Sequence, residues 1–228
     1  MGRAPSGKPV RAARIQELTS TMGAPFVKAW LLCILAGVLL PAAASTAATA
    51  AAATSDTEPA VSPGFDRTLE LKGIRFRVSS ANDGSINTLR IAPAGLEIDN
   101  SPIERTIDGT VTGAEIADLN ADGSPEIYVY VTSPGSGSYG SLVAYSANRR
   151  KSLSEIYLPP ITQNKAAARG YMGHDEFAVA GNALIRRFPV YRDTDTNAQP
   201  TGGARQLRYK LVPGEAGWIL KLETTAAH

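Results

Sequence analysis

Two stretches of this 228-residue chain gather side chains that could do chemistry. The first is Asp118-Leu119-Asn120-Ala121-Asp122-Gly123-Ser124-Pro125-Glu126, with oxygen ligands at its first, third and fifth positions and glycine at the sixth, as a calcium loop has. The twelfth position, where a bidentate Glu closes an EF-hand, is Val129. Two readings stay open: a weak calcium site built from Asp118, Asn120, Asp122 and Glu126, or a tight turn whose Asp and Asn side chains bond neighbouring amides. The second stretch is Ser133-Pro134-Gly135-Ser136-Gly137-Ser138-Tyr139-Gly140-Ser141. Its Gly, Ser and Pro content leaves little to bury, and Tyr139 is its one large side chain. A tyrosine combines an apolar ring with a hydroxyl at low side-chain entropy, which suits an anchor that fills a pocket on another molecule. The hydroxyls of Ser133, Ser136, Ser138 and Ser141 could donate to carboxylates beside it. An ordinary mobile loop is the plainer alternative.

Catalytic chemistry finds little support. Beyond the N-terminal region the histidines are His174 and the terminal His228. A Ser-His-Asp relay would need Gly173-His174-Asp175 together with Ser136, which sits in Gly-Ser-Gly and not in a Gly-x-Ser-x-Gly elbow. His174 reads better as a polar residue entering a strand. Zinc would need cysteines or paired histidines, and neither is present there. No catalysis and no firm metal or other cofactor is therefore expected. Arg149-Arg150-Lys151 reads as solvated charge, with contact to peptidoglycan or another polyanion as the sharper alternative.

Ser136-Gly137-Ser138-Tyr139 fits a Ser-Gly, one or two residues, Tyr motif, and Ala117–Ile127 supplies a turn and strand leading into it. In this the sequence resembles the bacterial periplasmic inhibitors of invertebrate-type (i-type) lysozyme, the PliI-like family. Phe188-Pro189-Val190-Tyr191 and Pro200-Thr201-Gly202-Gly203 are also similar to that family. The resemblance implies an antiparallel β-sandwich that inserts the Ser136–Tyr139 loop into a lysozyme cleft. There Ser136 and Tyr139 would hydrogen-bond the carboxyl pair that cleaves the glycosidic bond. It also implies a homodimer. A secreted calcium-dependent carbohydrate-binding or adhesion module is the competing reading, resting on the Asp118 turn.

The elements that must position these residues are strands. From Phe65 to Glu223 short alternating or β-branched runs are broken by turn residues, an all-β pattern with no long amphipathic helix. Strands are predicted at 68–71, 74–78, 86–91, 96–98, 109–118, 126–131, 142–146, 153–158, 176–180, 183–191, 206–212 and 217–222. Gly181-Asn182 is predicted to make a two-residue hairpin turn, and Lys165–Arg169 one helical turn. In the strand from Glu126, Ile127, Val129 and Val131 face one side while Tyr128 and Tyr130 face the other. In a meander the Asp118 turn and the Ser133 loop then lie at opposite ends of this strand, about 20 Å apart at ~3.3 Å per residue.

The N-terminal region carries no part of this site. Arg3, Lys8, Arg11, Arg14 and Lys28 precede the 12-residue apolar run Ala29–Leu40, then Pro41 and small residues, the order of a secretory signal peptide over residues 1–44. The run falls well short of the ~20 residues that span a bilayer, so no membrane span is expected to be retained. Met22 is an alternative start, giving a compact leader. Cys33 follows Leu32 where a lipoprotein site needs a small residue, and with the leader goes the one cysteine, leaving no disulfide framework. Residues 45–64 read as a flexible Ala/Thr-rich linker, 65–223 as the folded domain and 224–228 as a tail. The formal charge is +2 for the whole chain, but removal of the leader leaves 18 basic and 20 acidic residues, a charge near −2. Nucleic acid is excluded as a partner on that ground, and the expected location is periplasmic or secreted.

Overall fold

The computed structural model describes residues 64–227. The expected leader with Met22 and Cys33, the linker up to residue 63, and His228 lie outside the described residues.

Every long element is a strand. β1 (Phe65–Leu71), β2 (Ile74–Ser80), β3 (Ile86–Ala94) and β4 (Ile103–Asp108) form a four-stranded antiparallel meander in chain order. The chain leaves it at Gly109 and enters an eight-stranded sheet. The strands of this sheet are β5 (Thr110–Ala117), β6 (Glu126–Thr132), β7 (Gly140–Asn148), β8 (Ser152–Tyr157), β9 (Glu176–Ala180), β10 (Ala183–Pro189), β11 (Ala204–Pro213) and β12 (Trp218–Ala227). They lie in the order β5-β6-β7-β8-β12-β11-β10-β9. All pairs are antiparallel except β8 with β12, which run parallel through Trp218–Ile156 and Ile219–Tyr157. After β8, Pro159 and Pro160 interrupt the strand pattern, and a 3-10 turn (Ile161–Gln163) and α1 (Lys165–Ala168) follow, the latter capped by Asn164 Oδ1 accepting from the Ala167 amide at 3.1 Å.

β6 lies between two apolar clusters. Ile127, Val129 and Val131 pack with Phe76, Val78, Leu89 and Ile91 of the smaller sheet. Tyr128 and Tyr130 pack with Leu184, Leu207, Tyr209 and Leu220 from β10, β11 and β12. The alternation predicted for this strand therefore sorts residues between two cores, and neither face meets water. The β-sandwich gains a third layer because the larger sheet curls until its outer strands approach. There the Val179 amide of β9 donates to Glu115 Oε2 of β5 at 2.5 Å, and Tyr130 stacks on Phe177 at 5.8 Å.

The predicted strand at 96–98 is a bend. Asn100 brackets Leu96, its Oδ1 accepting the Leu96 amide at 2.9 Å and its Nδ2 donating to the Leu96 carbonyl at 2.8 Å, which turns the chain. β4 was not predicted, because four of its six residues are exposed or half-exposed and polar. The boundary placed at Glu223 moves: Thr224, Thr225, Ala226 and Ala227 pair with Arg208, Leu207, Gln206 and Arg205 of β11, so this stretch is strand and not tail. A ten-residue β11 supplies backbone partners that far, with a bulge at Arg208/Tyr209 shifting the register by one residue. The Gly181-Asn182 hairpin, joining Ala180 to Ala183, and the helical turn at Lys165 occur as predicted.

Candidate functional site

The loop between β6 and β7 is anchored on every side. At its base the Ser133 amide donates to the Tyr139 carbonyl at 2.9 Å, and Ser133 Oγ accepts the Tyr139 amide at 3.0 Å. Inside it, the Ser138 amide donates to the Gly135 carbonyl at 3.2 Å, with Ser138 at φ +41°. From outside, the His174 amide donates to the carbonyls of Gly137 (2.9 Å) and Ser138 (3.2 Å), and Asn197 Nδ2 donates to the Ser136 carbonyl at 2.7 Å. At Gly137 a Cβ would lie 2.5 Å from the Tyr139 ring, so any side chain there would displace that ring. Gly173, at φ +94°, lets the segment before β9 approach the loop, since a Cβ would lie 2.0 Å from the Gly137 carbonyl oxygen.

A buried ion pair supports this arrangement. Asp175 and Arg186 have side chains 0% and 6% exposed, joined at 2.7 Å through Arg186 Nε. Asp175 Oδ2 also accepts the Gly140 amide at 2.8 Å and the Tyr171 hydroxyl at 2.6 Å, while Arg186 Nη2 donates to that hydroxyl at 2.8 Å. Burial opposes the charge on Arg186, but the hydrogen bond and charge of Asp175, helped by Tyr171 and Tyr209, together outweigh it and hold the guanidinium above its usual range. Burial first, then the bond to Asp175, pushes the Tyr171 hydroxyl up, so it stays a proton donor. The Tyr171 ring meets the Tyr139 ring edge-on at 5.7 Å and the Phe188 ring at 4.8 Å.

What emerges at the surface is narrow. Tyr139 is 49% exposed, and Ser136 and Ser141 are exposed. Ser136 Oγ and the Tyr139 hydroxyl make no hydrogen bond to any described residue. Tyr139 and Ser141 line a groove shared with Arg105, Glu155, Tyr157 and Tyr171. Two donors and half an aromatic ring thus project from a backbone that is already ordered.

The Asp118 turn sits at the other end of β6, and Arg149 and Arg150 lie beside it. Its side chains make the bonds of a tight turn: Asp118 Oδ1 accepts the Asp122 amide and Oδ2 the Gly123 amide, both at 3.0 Å, and Asp122 Oδ1 accepts the Ser124 amide at 2.8 Å. Asn120 Nδ2 donates to Asp122 Oδ2 at 2.9 Å, and Lys72 Nζ reaches Asp118 Oδ2 at 2.5 Å. Glu126 is wholly buried; Oε2 accepts the Leu119 amide at 2.8 Å. Burial, then the charges of Asp118 and Asp122, push its carboxyl up to about 8 against the pull of that amide. One oxygen from each of Asp118, Asp122 and Glu126 falls within 4.8 Å of the others, so these are the residues that could hold a metal.

Residues 101–167 match the family model described as periplasmic lysozyme inhibitor of I-type lysozyme, PliI. The PliI-like segment is less than half of the chain and runs from just before β4 to α1, taking in both the Asp118 turn and the Ser133–Ser141 loop. No curated protein and no solved structure matches the chain.

Much of what holds the PliI-like loop lies outside the matched segment. Tyr171, Gly173, His174, Asp175, Arg186 and Asn197 follow it in sequence and were not predicted as site residues. A tyrosine-flanked Gly-His-Asp ahead of a strand was the available signal, but it reads equally as a turn. His174 contributes its backbone; its ring stacks on Tyr191 at 6.3 Å, and Nε2 is buried without a partner. Both Asp175 oxygens are engaged by Arg186, Tyr171 and Gly140, so the neighbouring Ser, His and Asp form no proton relay. Phe188–Tyr191 and Pro200–Gly203 pair through Val190 with Gly202 and Gly203, and Tyr191 Oη donates to the Asn197 carbonyl at 3.0 Å. These two segments thereby form the wall that carries Asn197 to the loop. Among the described residues no helix is long and apolar enough to cross a membrane.

Proposed function

We propose that the protein is an exported inhibitor of i-type lysozyme that acts by inserting the Ser133–Ser141 loop into the enzyme's cleft, protecting peptidoglycan in the periplasm. The observation that carries this reading is the half-exposed Tyr139 on a loop whose backbone is bonded at Ser133, Ser136, Gly137, Ser138 and Gly140. The family match over residues 101–167 and the order of basic, apolar and small residues at the N-terminus support it further.

Each residue has a task. Glycosidases of this kind work with two carboxyl groups flanking the scissile bond, one of which must be protonated. The free hydroxyls of Ser136 and Tyr139 donate to that pair, and a bond to a charged acceptor is about twice as strong as a neutral one. Gly137 makes room for the Tyr139 ring, Ser133 and Ser138 fix the loop's shape, and Ser141 extends the contact along the groove. Because the loop is ordered before binding, little conformational entropy is lost on docking. The chain needs no catalytic group of its own for this action.

The test is a titration of purified protein against invertebrate-, chicken- and goose-type lysozymes, with Ser136→Ala and Tyr139→Ala alongside. Strongest inhibition of the i-type enzyme, weakened by both substitutions, is the expected result. Inhibition of none of the three overturns the reading.

A further inference from the structure

We propose that the turn Asp118–Glu126 is a calcium site, with carboxylate oxygens of Asp118, Asp122 and Glu126 as ligands and the Asn120 amide oxygen beside them. The three carboxylates converge to within 4.8 Å. Calcium–oxygen bonds of about 2.3–2.6 Å allow two ligands of one ion to stand up to roughly 5 Å apart, so a single ion can touch all three with the backbone as it is.

The hydrogen bonds of the turn do not decide the matter, since a tight turn and a calcium loop share them. Glu126 does. Its side chain is fully buried, yet Oε1 has no hydrogen-bond partner, while Oε2 is bonded to the Leu119 amide. A buried carboxyl oxygen with no partner is strongly unfavourable, and of the three acids Asp118 alone has an ion-pair partner among the described residues, the half-exposed Lys72. A divalent cation supplies the missing partner.

The spacing explains why the loop looked incomplete as an EF-hand. Ligands fall at positions one, three and five, but the closing acid comes from the ninth, where β6 begins, and the twelfth is the buried Val129. An all-oxygen set with no nitrogen or sulfur ligand selects a hard cation, and its irregular geometry suits calcium better than the octahedral demand of magnesium. The ion would fasten the β5–β6 connection about 20 Å from Tyr139, so its role is separable from any action of the loop.

The experiment is a thermal melt and calorimetric titration of the full chain, stripped with EDTA, then supplied with CaCl2 or MgCl2. At calcium about a hundredfold above its dissociation constant, the melting temperature is expected to rise by roughly 5–10 °C. Asp122→Asn, at an exposed position, and Glu126→Gln, which preserves volume, should each weaken calcium binding by tenfold or more. An absent heat and an unchanged melting temperature in CaCl2 overturn the proposal, as does an undiminished response in both variants. An equal response to MgCl2 overturns the assignment to calcium.

Discussion

Gly140 and Asp175, 35 residues apart, are joined by one hydrogen bond of 2.8 Å from the Gly140 amide to Asp175 Oδ2. The same carboxylate neutralises the buried Arg186, so the loop that carries Tyr139 is fixed to a charge that cannot move without exposing its partner. Replacing Asp175 with Asn keeps the shape and leaves that guanidinium buried and unpaired. The expected loss of stability is about 3–5 kcal/mol by denaturant melt, with faster exchange at the Gly140 amide. A variant as stable as the parent would contradict this role.

Gly173→Ala places a methyl group against the Gly137 carbonyl at a backbone angle that disfavours it. The loop must shift, and inhibition of i-type lysozyme should fall by tenfold or more with the fold retained by circular dichroism. Gly181→Ala is the control. It carries a similar backbone strain at φ +60° but meets no atom within 4 Å, so it should lower stability by about 1 kcal/mol and leave inhibition unchanged.

Acid should loosen the wall beside the loop. Asp195 accepts the amides of Arg192 (2.8 Å) and Thr201 (2.7 Å), and these bonds with the Thr201 hydroxyl hold its carboxyl below the usual carboxylate range. A carboxylate depressed in the folded state contributes stability that is fully present above its unfolded value and is lost as pH falls through the folded one. Order in residues 192–201, including Asn197 on the Ser136 carbonyl, should therefore hold above about pH 4 and decline below it. Nuclear magnetic resonance of the Thr201 and Arg192 amides through an acid titration checks this. Asp195→Asn should show the loosened state already at neutral pH.

The central strand and the projecting loop could be read from the chain because local composition settles both. Ile127, Val129 and Val131 against Tyr128 and Tyr130 form a two-sided apolar strand, and a Gly/Ser/Pro run with one Tyr can only be surface. The bend at Leu96 could not be read so, since its alternation with Ile98 looks like strand until Asn100 closes on it. The support under the loop was equally hidden: Tyr171, Asp175 and Arg186 acquire meaning only when folding brings them beside Gly140. Thr224–Ala227 look like a polar tail in isolation and become strand because β11 offers them a partner.

The most direct test of the account is the inhibition constant of the wild-type protein and of Tyr139→Ala against i-type lysozyme. Tyr139 touches the fold mainly through the edge of Tyr171, so the variant should fold and melt much like the parent. Removing an anchor of about 2 kcal/mol should raise the inhibition constant about 30-fold. Equal inhibition by the two proteins would contradict the claim that this loop is the inhibitory element.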